Sequence, residues 1–326
     1  MKYKILGRTG VEVSALCFGT MSFGDTADTE ASGEMFRACL DVGINFFDCA
    51  NVYAGGESER ILGRLMAGIR DELVITSKVG SAFGEGPNNG GMSRRNIVMS
   101  VEQSLKRLNT DRIDVYFIHK WDPNTPIEEA VWALDDLVHS GKILYPAVSN
   151  WAAWQIMKAL GISKMEGLTR FEVMQPMYNL VKRQAEVELL PMAASEQVGV
   201  IPYSPLGGGL LTGKYTTSQR PDVGRIVENP LYSSRYGMHR YYEIAEAFNT
   251  YAVKQGVHPV TMAIGWVMAN PAVTAPIIGA RNLSQLQPAL AAKSLHLSPQ
   301  QYAAITALSD TPPPANDRLE EQHNVI

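Results

Sequence analysis

Short apolar runs recur along most of the chain, and each is followed by a longer stretch in which apolar positions repeat every three or four residues. That alternation predicts repeated βα units around a parallel sheet. The candidate strands are Ala15 to Phe18, Asn45 to Phe47, Leu73 to Thr76, Asp114 to Ile118, Ile143 to Val148, Val173 to Gln175, Val198 to Pro202 and Ala275 to Ile278. They number eight, which is what a closed (β/α)8 TIM barrel requires. Helical periodicity covers Glu30 to Asp41, Ser58 to Met66, Ser93 to Leu108, Pro126 to His139, Ala153 to Leu160, Ala185 to Glu196, Tyr242 to Lys254 and Pro259 to Met268. Within the third of these, Ile97, Val101, Leu105 and Leu108 form one stripe for packing on the barrel, and Ser93 is a candidate N-cap. Tyr3 to Leu6 and Val11 to Val13 flank Gly7-Arg8-Thr9-Gly10, which predicts an N-terminal β-hairpin that could plug one barrel end.

After the seventh strand, the stretch from Gly213 to about Arg240 carries Pro221, Gly224 and Pro230 and predicts a long irregular insertion of the kind that often serves function. No composition shift splits the chain, so one α/β barrel domain over 1–310 is expected. A polar tail follows over 311–326, opened by three prolines and of a composition that favours disorder.

The 326 residues are 45% hydrophobic and 19% charged, an ordinary globular balance that leaves room for a large core. A net charge of −4 gives no basic field, which argues against nucleic acid or an anionic membrane surface as a partner. Cys17, Cys39 and Cys49 are odd in number and lack C-x-x-C spacing, so neither a disulfide framework nor a zinc site is expected. With no signal-like or spanning apolar segment, the expected compartment is the cytoplasm. Oligomeric state is not legible from these features.

In a parallel barrel, functional residues stand at the carboxyl ends of the strands. The second strand runs into Asp48 with Tyr53 close behind, the third ends in Lys78 and the fourth in His119. Taken singly, each has an ordinary role available: a cap for Asp48, packing for Tyr53, a satisfied structural histidine for His119. Together they fit one mechanism. A tyrosine with an ordinary pKa of about 10 is a weak acid near neutrality, and a neighbouring ammonium, itself held by a carboxylate, would lower that value. His119 could then orient a carbonyl oxygen beside Tyr53 while hydride reaches the carbon.

The stretches FFDCANVY, VITSKV, YFIHKWD, VSNW, MQPMYNLV, YSPLGGGLLTGKY and PIIGARNLSQL occur in the order and at spacings similar to those of the aldo-keto reductase superfamily. The resemblance extends to Asp310 and looks closest to bacterial aryl-aldehyde reductases and the potassium-channel β-subunit group. It implies a catalytic tetrad of Asp48, Tyr53, Lys78 and His119, with NADPH/NADP+ lying across the barrel mouth. Implied cofactor contacts are Gly19, Thr20, Met21 and Asp48, then Ser149, Asn150 and Gln175 toward the nicotinamide carboxamide, and Tyr203 stacking on its ring. Ser204, Leu206, Gly207, Gly208, Leu210, Gly213 and Lys214 would wrap the pyrophosphate, and Gly279, Arg281, Gln285 and Arg225 would meet the adenosine end, with Arg281 on the 2′-phosphate. Phe23, Tyr53, His119 and Trp121 would line a substrate pocket for a small carbonyl compound, its aromatic walls suiting flat aldehydes.

The chain departs from the family pattern at two places. Leu144-Tyr145-Pro146-Ala147 replaces the usual Arg-Tyr-Ile-Gly in the fifth strand, and Pro288-Ala289 replaces a Glu-Asn pair that contacts adenine. A rival motif, Gly208-x-x-x-x-Gly213-Lys214, approaches the phosphate loop of ATPases but continues with Tyr215 where a magnesium-binding hydroxyl is needed. The serious alternative is an NADP(H)-binding redox sensor or regulatory subunit with slow turnover.

Overall fold

The computed structural model describes residues 1–316 and 318. Most of the expected tail lies outside the described residues. The N-terminal strands β1 (Tyr3–Ile5) and β2 (Glu12–Ser14) pair antiparallel as a hairpin. Among the described residues, eight parallel strands then form one sheet: β3 (Cys17–Gly19), β4 (Phe46–Asp48), β5 (Val74–Val79), β6 (Ile113–Ile118), β7 (Ile143–Ser149), β8 (Val173–Gln175), β9 (Gly199–Val200) and β10 (Ile277–Ile278). Neighbours in sequence are neighbours in the sheet, and β10 returns to pair with β3. Backbone bonds from Thr274 N–H to Val200 O (2.8 Å) and from Ile277 N–H to Pro202 O (2.9 Å) close the remaining gap. The sheet is therefore a (β/α)8 barrel, and each expected strand overlaps an observed one.

The helices are α1 (Thr29–Asp41), α2 (Glu57–Leu65), α3 (Arg94–Leu108), α4 (Ile127–His139), α5 (Ala153–Glu166), α6 (Leu189–Glu196), α7 (Arg225–Glu228), α8 (Pro230–Tyr236), α9 (His239–Lys254), α10 (Pro259–Ala269), α11 (Leu283–Leu290) and α12 (Pro299–Thr306). Ser93 caps α3 by accepting from Asn96 N–H, and Ile97, Val101, Leu105 and Leu108 are buried on its inner face. The helix expected over Ala185 to Glu196 is broken: a 3-10 turn at Gln184–Glu186 precedes α6, with Glu188 in a non-helical conformation between them. The insertion after β9 is also more ordered than its prolines suggested. Pro230 takes the first turn of α8, where its missing N–H costs nothing, and Asn229 caps that helix. Tyr215 is fully buried in the insertion's base against Tyr242, so the residue that breaks the ATPase motif is a packing anchor.

Two cores result. The larger lies between the strands and the helical ring, whereas the smaller fills the barrel with Cys17, Phe46, Val74, Val115, Phe117, Ala147, Val173, Ile201 and Ala275. Leu6 and Val13 belong to this inner cluster, so the hairpin closes the end where the strands begin. Gly7 sits at the turn with φ +59°, and a Cβ there would stand 2.6 Å from Glu172 O, so glycine permits the approach. Pro146 does not disrupt β7: it keeps register with Tyr116 on β6, and its carbonyl accepts from Glu172 N–H.

Candidate active site

Strand side chains alternate sides, so the inner cluster dictates which residues face the mouth. Two residues beyond Phe46 comes Asp48; beyond Val74 come Thr76 and Lys78; beyond Phe117, His119; beyond Ala147, Ser149; beyond Val173, Gln175; beyond Ile201, Tyr203. The candidate site is thus the polar top layer of the barrel filling.

Asp48 and Lys78 form its base, with Lys78 0% exposed and Asp48 2%. Lys78 Nζ donates to Asp48 Oδ1 (2.7 Å), Asp48 Oδ2 (2.6 Å) and the Cys49 carbonyl (2.7 Å), which uses all three ammonium hydrogens. Asp48 Oδ1 also accepts from Thr76 Oγ1 at 2.7 Å and from Gln175 Nε2 at 2.9 Å. Burial would lower the Lys78 pKa, but the Asp48 carboxylate and its hydrogen bonds outweigh it, and the ammonium is held well above its usual range.

Tyr53 lies in a 3-10 turn after β4, followed by Ala54 in the left-handed region at φ +48°. Lys78 Nζ stands 5.2 Å from its ring centroid. The expected fall in the Tyr53 pKa does not occur. Burial pushes the phenol up to about 12, and the charge of Lys78 opposes that rise without cancelling it. Tyr53 therefore keeps its proton near neutrality. His119 packs edge-on to Tyr53 with ring centroids 6.2 Å apart, and burial, aided by the Lys78 charge, drops its pKa to about 3. A neutral imidazole can donate or accept a hydrogen bond without adding a cation to the site.

A hydrogen-bonded series continues along the rim. Ser149 Oγ donates to the Gln175 carbonyl (2.8 Å), and Asn150 Nδ2 donates to Ser149 Oγ (3.0 Å) and to the His119 carbonyl (2.9 Å). The Tyr203 hydroxyl donates to Asn150 Oδ1 at 2.7 Å. Asn150 and Ser204 both hold left-handed backbone, at φ +59° and +57°. Such conformations cost energy outside glycine and gather where structure serves a site. Asn150, Gln175 and Tyr203 share a cavity of ≈ 340 Å³ whose walls include Trp151, Met174 and Leu189.

Gly207, Gly208 and Gly209 follow with φ of +58°, +68° and +103°, within a turn over Gly207–Thr212. A Cβ on Gly208 would meet Tyr232 Cδ1 at 2.9 Å, so α8 packs onto bare backbone there. The Leu210 side chain is fully buried, which leaves only its backbone for a ligand, and Leu206 is half-buried. Lys214 is exposed beyond Gly213, and its pKa falls through partial burial and the nearby charges of Arg281 and Arg225. Arg281 pairs with Glu228 of α7 at 3.5 Å. Lys214 thus feels two guanidinium charges and the Glu228 carboxylate, a cluster of cations suited to a phosphate group. Gln285 Oε1 accepts from Arg281 N–H at 3.2 Å, and Gly279 packs beside the Gly19 carbonyl. The glycine cradle and the cluster of cations fit a phosphate-bearing dinucleotide.

Other expected contacts are engaged differently. Thr20 is buried, with its hydroxyl on Asp48 O and Ser58 Oγ, whereas Met21 is 43% exposed. Phe23 is 0% exposed and packs on Phe18 with centroids 5.7 Å apart, so it belongs to the core and not to a pocket mouth. Apolar burial won over its position after a strand end. Trp121 packs edge-on to Trp151 (4.9 Å) and Trp154 (6.1 Å), near His119 in the same loop. Pro288 and Ala289 lie within α11, with Ala289 buried. Thr76, Glu228 and Trp151 were missed by the reading of motifs. Thr76 was findable, since it stands two residues before Lys78 and shares its face of β5.

A profile of the aldo/keto reductase family matches residues 15–310. The chain belongs to the aldo/keto reductase family. It is 37% identical over 316 residues to the uncharacterized oxidoreductase YrpG of Bacillus subtilis (strain 168), covering 91% of this chain and 92% of that protein. It is 36% identical over 304 residues to a probable voltage-gated potassium channel subunit beta of Arabidopsis thaliana, covering 88% and 89%. Norsolorinic acid reductase B of Dothistroma septosporum is 34% identical over 325 residues, covering 94% and 81%. This aldo/keto reductase thus has relatives named as reductases and as channel subunits. Among its described residues, no helix is long and apolar enough to cross a membrane.

Proposed function

We propose that this aldo/keto reductase reduces aldehydes and ketones to alcohols with NADPH, and that Tyr53 is the general acid. The observation that carries the reading is the buried Asp48–Lys78 pair beneath a protonated Tyr53, with a neutral His119 at its side. When bound, the reduced nicotinamide supplies hydride to the carbonyl carbon. Tyr53 gives its phenolic proton to the carbonyl oxygen as negative charge develops there, and His119 offers that oxygen a hydrogen bond. Lys78 stabilises the phenolate left behind, and Asp48 keeps the ammonium in place. Tyr203, Ser149, Asn150 and Gln175 would hold the nicotinamide; the glycine turn and Lys214 would hold the pyrophosphate. Arg281, with Arg225, would meet the 2′-phosphate. Trp121 and Tyr53 would wall the substrate pocket and favour flat aromatic aldehydes. The three cysteines are buried and unpaired, as suits a reducing compartment such as the cytoplasm.

Relatives named as voltage-gated potassium channel β subunits favour a second reading, a regulatory subunit, which would bind NADP(H) and turn over slowly or act as a redox sensor. Aldehyde-dependent NADPH oxidation under multiple-turnover conditions separates the two. Sustained oxidation with aromatic aldehydes is expected. Consumption of one equivalent of bound NADPH and no more would favour the sensor.

A further inference from the structure

On the outer ring of the barrel, α2 and α3 flank a cavity of ≈ 370 Å³ lined by Arg60, Gly63, Arg64, Ala67, Arg107 and Asn109. Three of these residues are arginines and none is acidic, in a chain whose net charge is −4. Gly63 closes one wall. A Cβ on it would stand 2.6 Å from Leu108 O, so the two helices meet there backbone to backbone.

Arg107 is held from several sides. Its Nε donates to Glu59 Oε2 (2.6 Å) and its Nη2 to Ser104 Oγ (3.3 Å), while the guanidinium stands 5.1 Å from the Phe83 ring centroid. Its stem packs on Gly56, where a Cβ would meet Arg107 Cδ at 2.8 Å. Glu59 is 0% exposed and spends its other oxygen on Ser77 Oγ, so it engages Arg107 through Nε alone. The Arg107 side chain is only 10% exposed, and its Nη1 has no partner among the described residues. Two donor hydrogens of a nearly buried, pre-positioned guanidinium are therefore unspent at the cavity.

Arg60 and Arg64 stand one turn apart on α2, and Glu57 at the start of that helix reaches both. Its Oε2 accepts from Arg60 Nη1 at 3.4 Å and its Oε1 from Arg64 Nη2 at 3.1 Å. One carboxylate thus already spans the two guanidiniums. These side chains are roughly half exposed, so the pairs are weak and open to exchange for another anion.

We propose that the α2–α3 cavity binds a small phosphate monoester, its phosphoryl group seated on Arg107 and gripped by Arg60 and Arg64 as they leave Glu57. Phosphate suits the site better than a second carboxylate, because its oxygens accept from several directions at once and a carboxylate offers two in one plane. The cavity lies near the lower end of the ~300–1,000 Å³ of small-molecule sites, room for a phosphoryl group and a short carbon body. Its arginines are separate from Lys214, Arg225 and Arg281, which the cofactor reading uses.

The test is calorimetric titration with glycerol 3-phosphate at constant ionic strength. Wild type is expected to show a saturable site with a dissociation constant of about 1 mM or tighter. Arg64→Gln, on an exposed side chain that the fold does not need, should weaken that site about tenfold or more. Any phosphate held by Lys214 and Arg281 is common to both proteins, so the difference belongs to this cavity. Arg107→Lys keeps a cation beside Glu59 but loses the fork of Nη1 and Nη2, and should weaken binding similarly. Its circular dichroism and melting temperature are compared with wild type to show that it folds. Glu57→Gln removes the competing carboxylate and should tighten binding about threefold. Absence of a saturable site in wild type overturns the proposal. So does an affinity that Arg64→Gln leaves unchanged, or one that Glu57→Gln weakens.

Discussion

Replacing Lys78 by methionine isolates the interaction on which the site is built. The substitution keeps the length of the apolar stem and removes the ammonium that spans Asp48 Oδ1, Asp48 Oδ2 and the Cys49 carbonyl. Both partners are essentially inaccessible, with side-chain exposures of 0% and 3%, so water cannot take the place of the lost cation. Breaking a buried pair in this way costs about 3–5 kcal/mol, because one charge remains uncompensated. Thr76 and Gln175 still donate to Oδ1, which points to the lower half of that range. Pairing the change with Asp48→Asn removes both charges, and the oxygen of the introduced amide could keep both of those donors. The double variant should therefore be more stable than Lys78→Met alone by about 2 kcal/mol, even though it carries a second substitution. Urea unfolding of wild type, both single variants and the double variant at pH 7 measures the cycle. Losses that simply add would refute the claim that the two charges are held by each other.

Three further outcomes follow from the same geometry. His119 has a pKa lowered to about 3 from an unfolded value near 6.5, so the unfolded chain takes up the proton first as the solution is acidified. Its contribution is neutral above pH 6.5 and destabilises by about 1.4 kcal/mol per unit as pH falls toward 3. His119→Gln should lack that slope in pH-dependent unfolding, and identical slopes would contradict the burial argument. Arg281→Ala should weaken NADPH far more than NADH in a binding titration; an equal loss for both removes Arg281 from the 2′-phosphate. Glu228 competes for the same guanidinium at 3.5 Å, so Glu228→Gln should tighten NADPH binding a few-fold, in keeping with the ~0.2–1 kcal/mol of an exposed pair. No change, or weaker binding, would mean that Glu228 does not compete with the phosphate.

The barrel was legible because its strands are short apolar runs with helical periodicity between them, and because the period of two carries the inner layer into Asp48, Lys78, His119 and Gln175. Local chemistry also marked Ser93 as a cap and Gly7 as a turn. What escaped the sequence depends on packing between distant segments. Phe23 follows a strand end like Trp121, yet Phe18 and the surrounding core claim it. The break before α6 is local by contrast: Pro191 has no N–H to bond back to Val187 and its ring would crowd that turn, so the helix restarts at Leu189 with Pro191 in its first turn. The order within Gly213 to Arg240 comes from the burial of Tyr215 and Tyr236. The rise of the Tyr53 pKa reverses the expectation from its neighbours, because desolvation outweighs the adjacent ammonium.

The most direct test of the central claim is Tyr53→Phe, which removes one hydroxyl and leaves the ring in place. Steady-state reduction of an aromatic aldehyde and fluorescence titration with NADPH should be measured on the same preparation. A positioned general acid contributes about 10²–10⁴-fold, so kcat/KM should fall by that factor. The NADPH dissociation constant should stay within about twofold, because no cofactor contact is assigned to the Tyr53 hydroxyl. Retained turnover would show that the proton comes from elsewhere and would contradict the account.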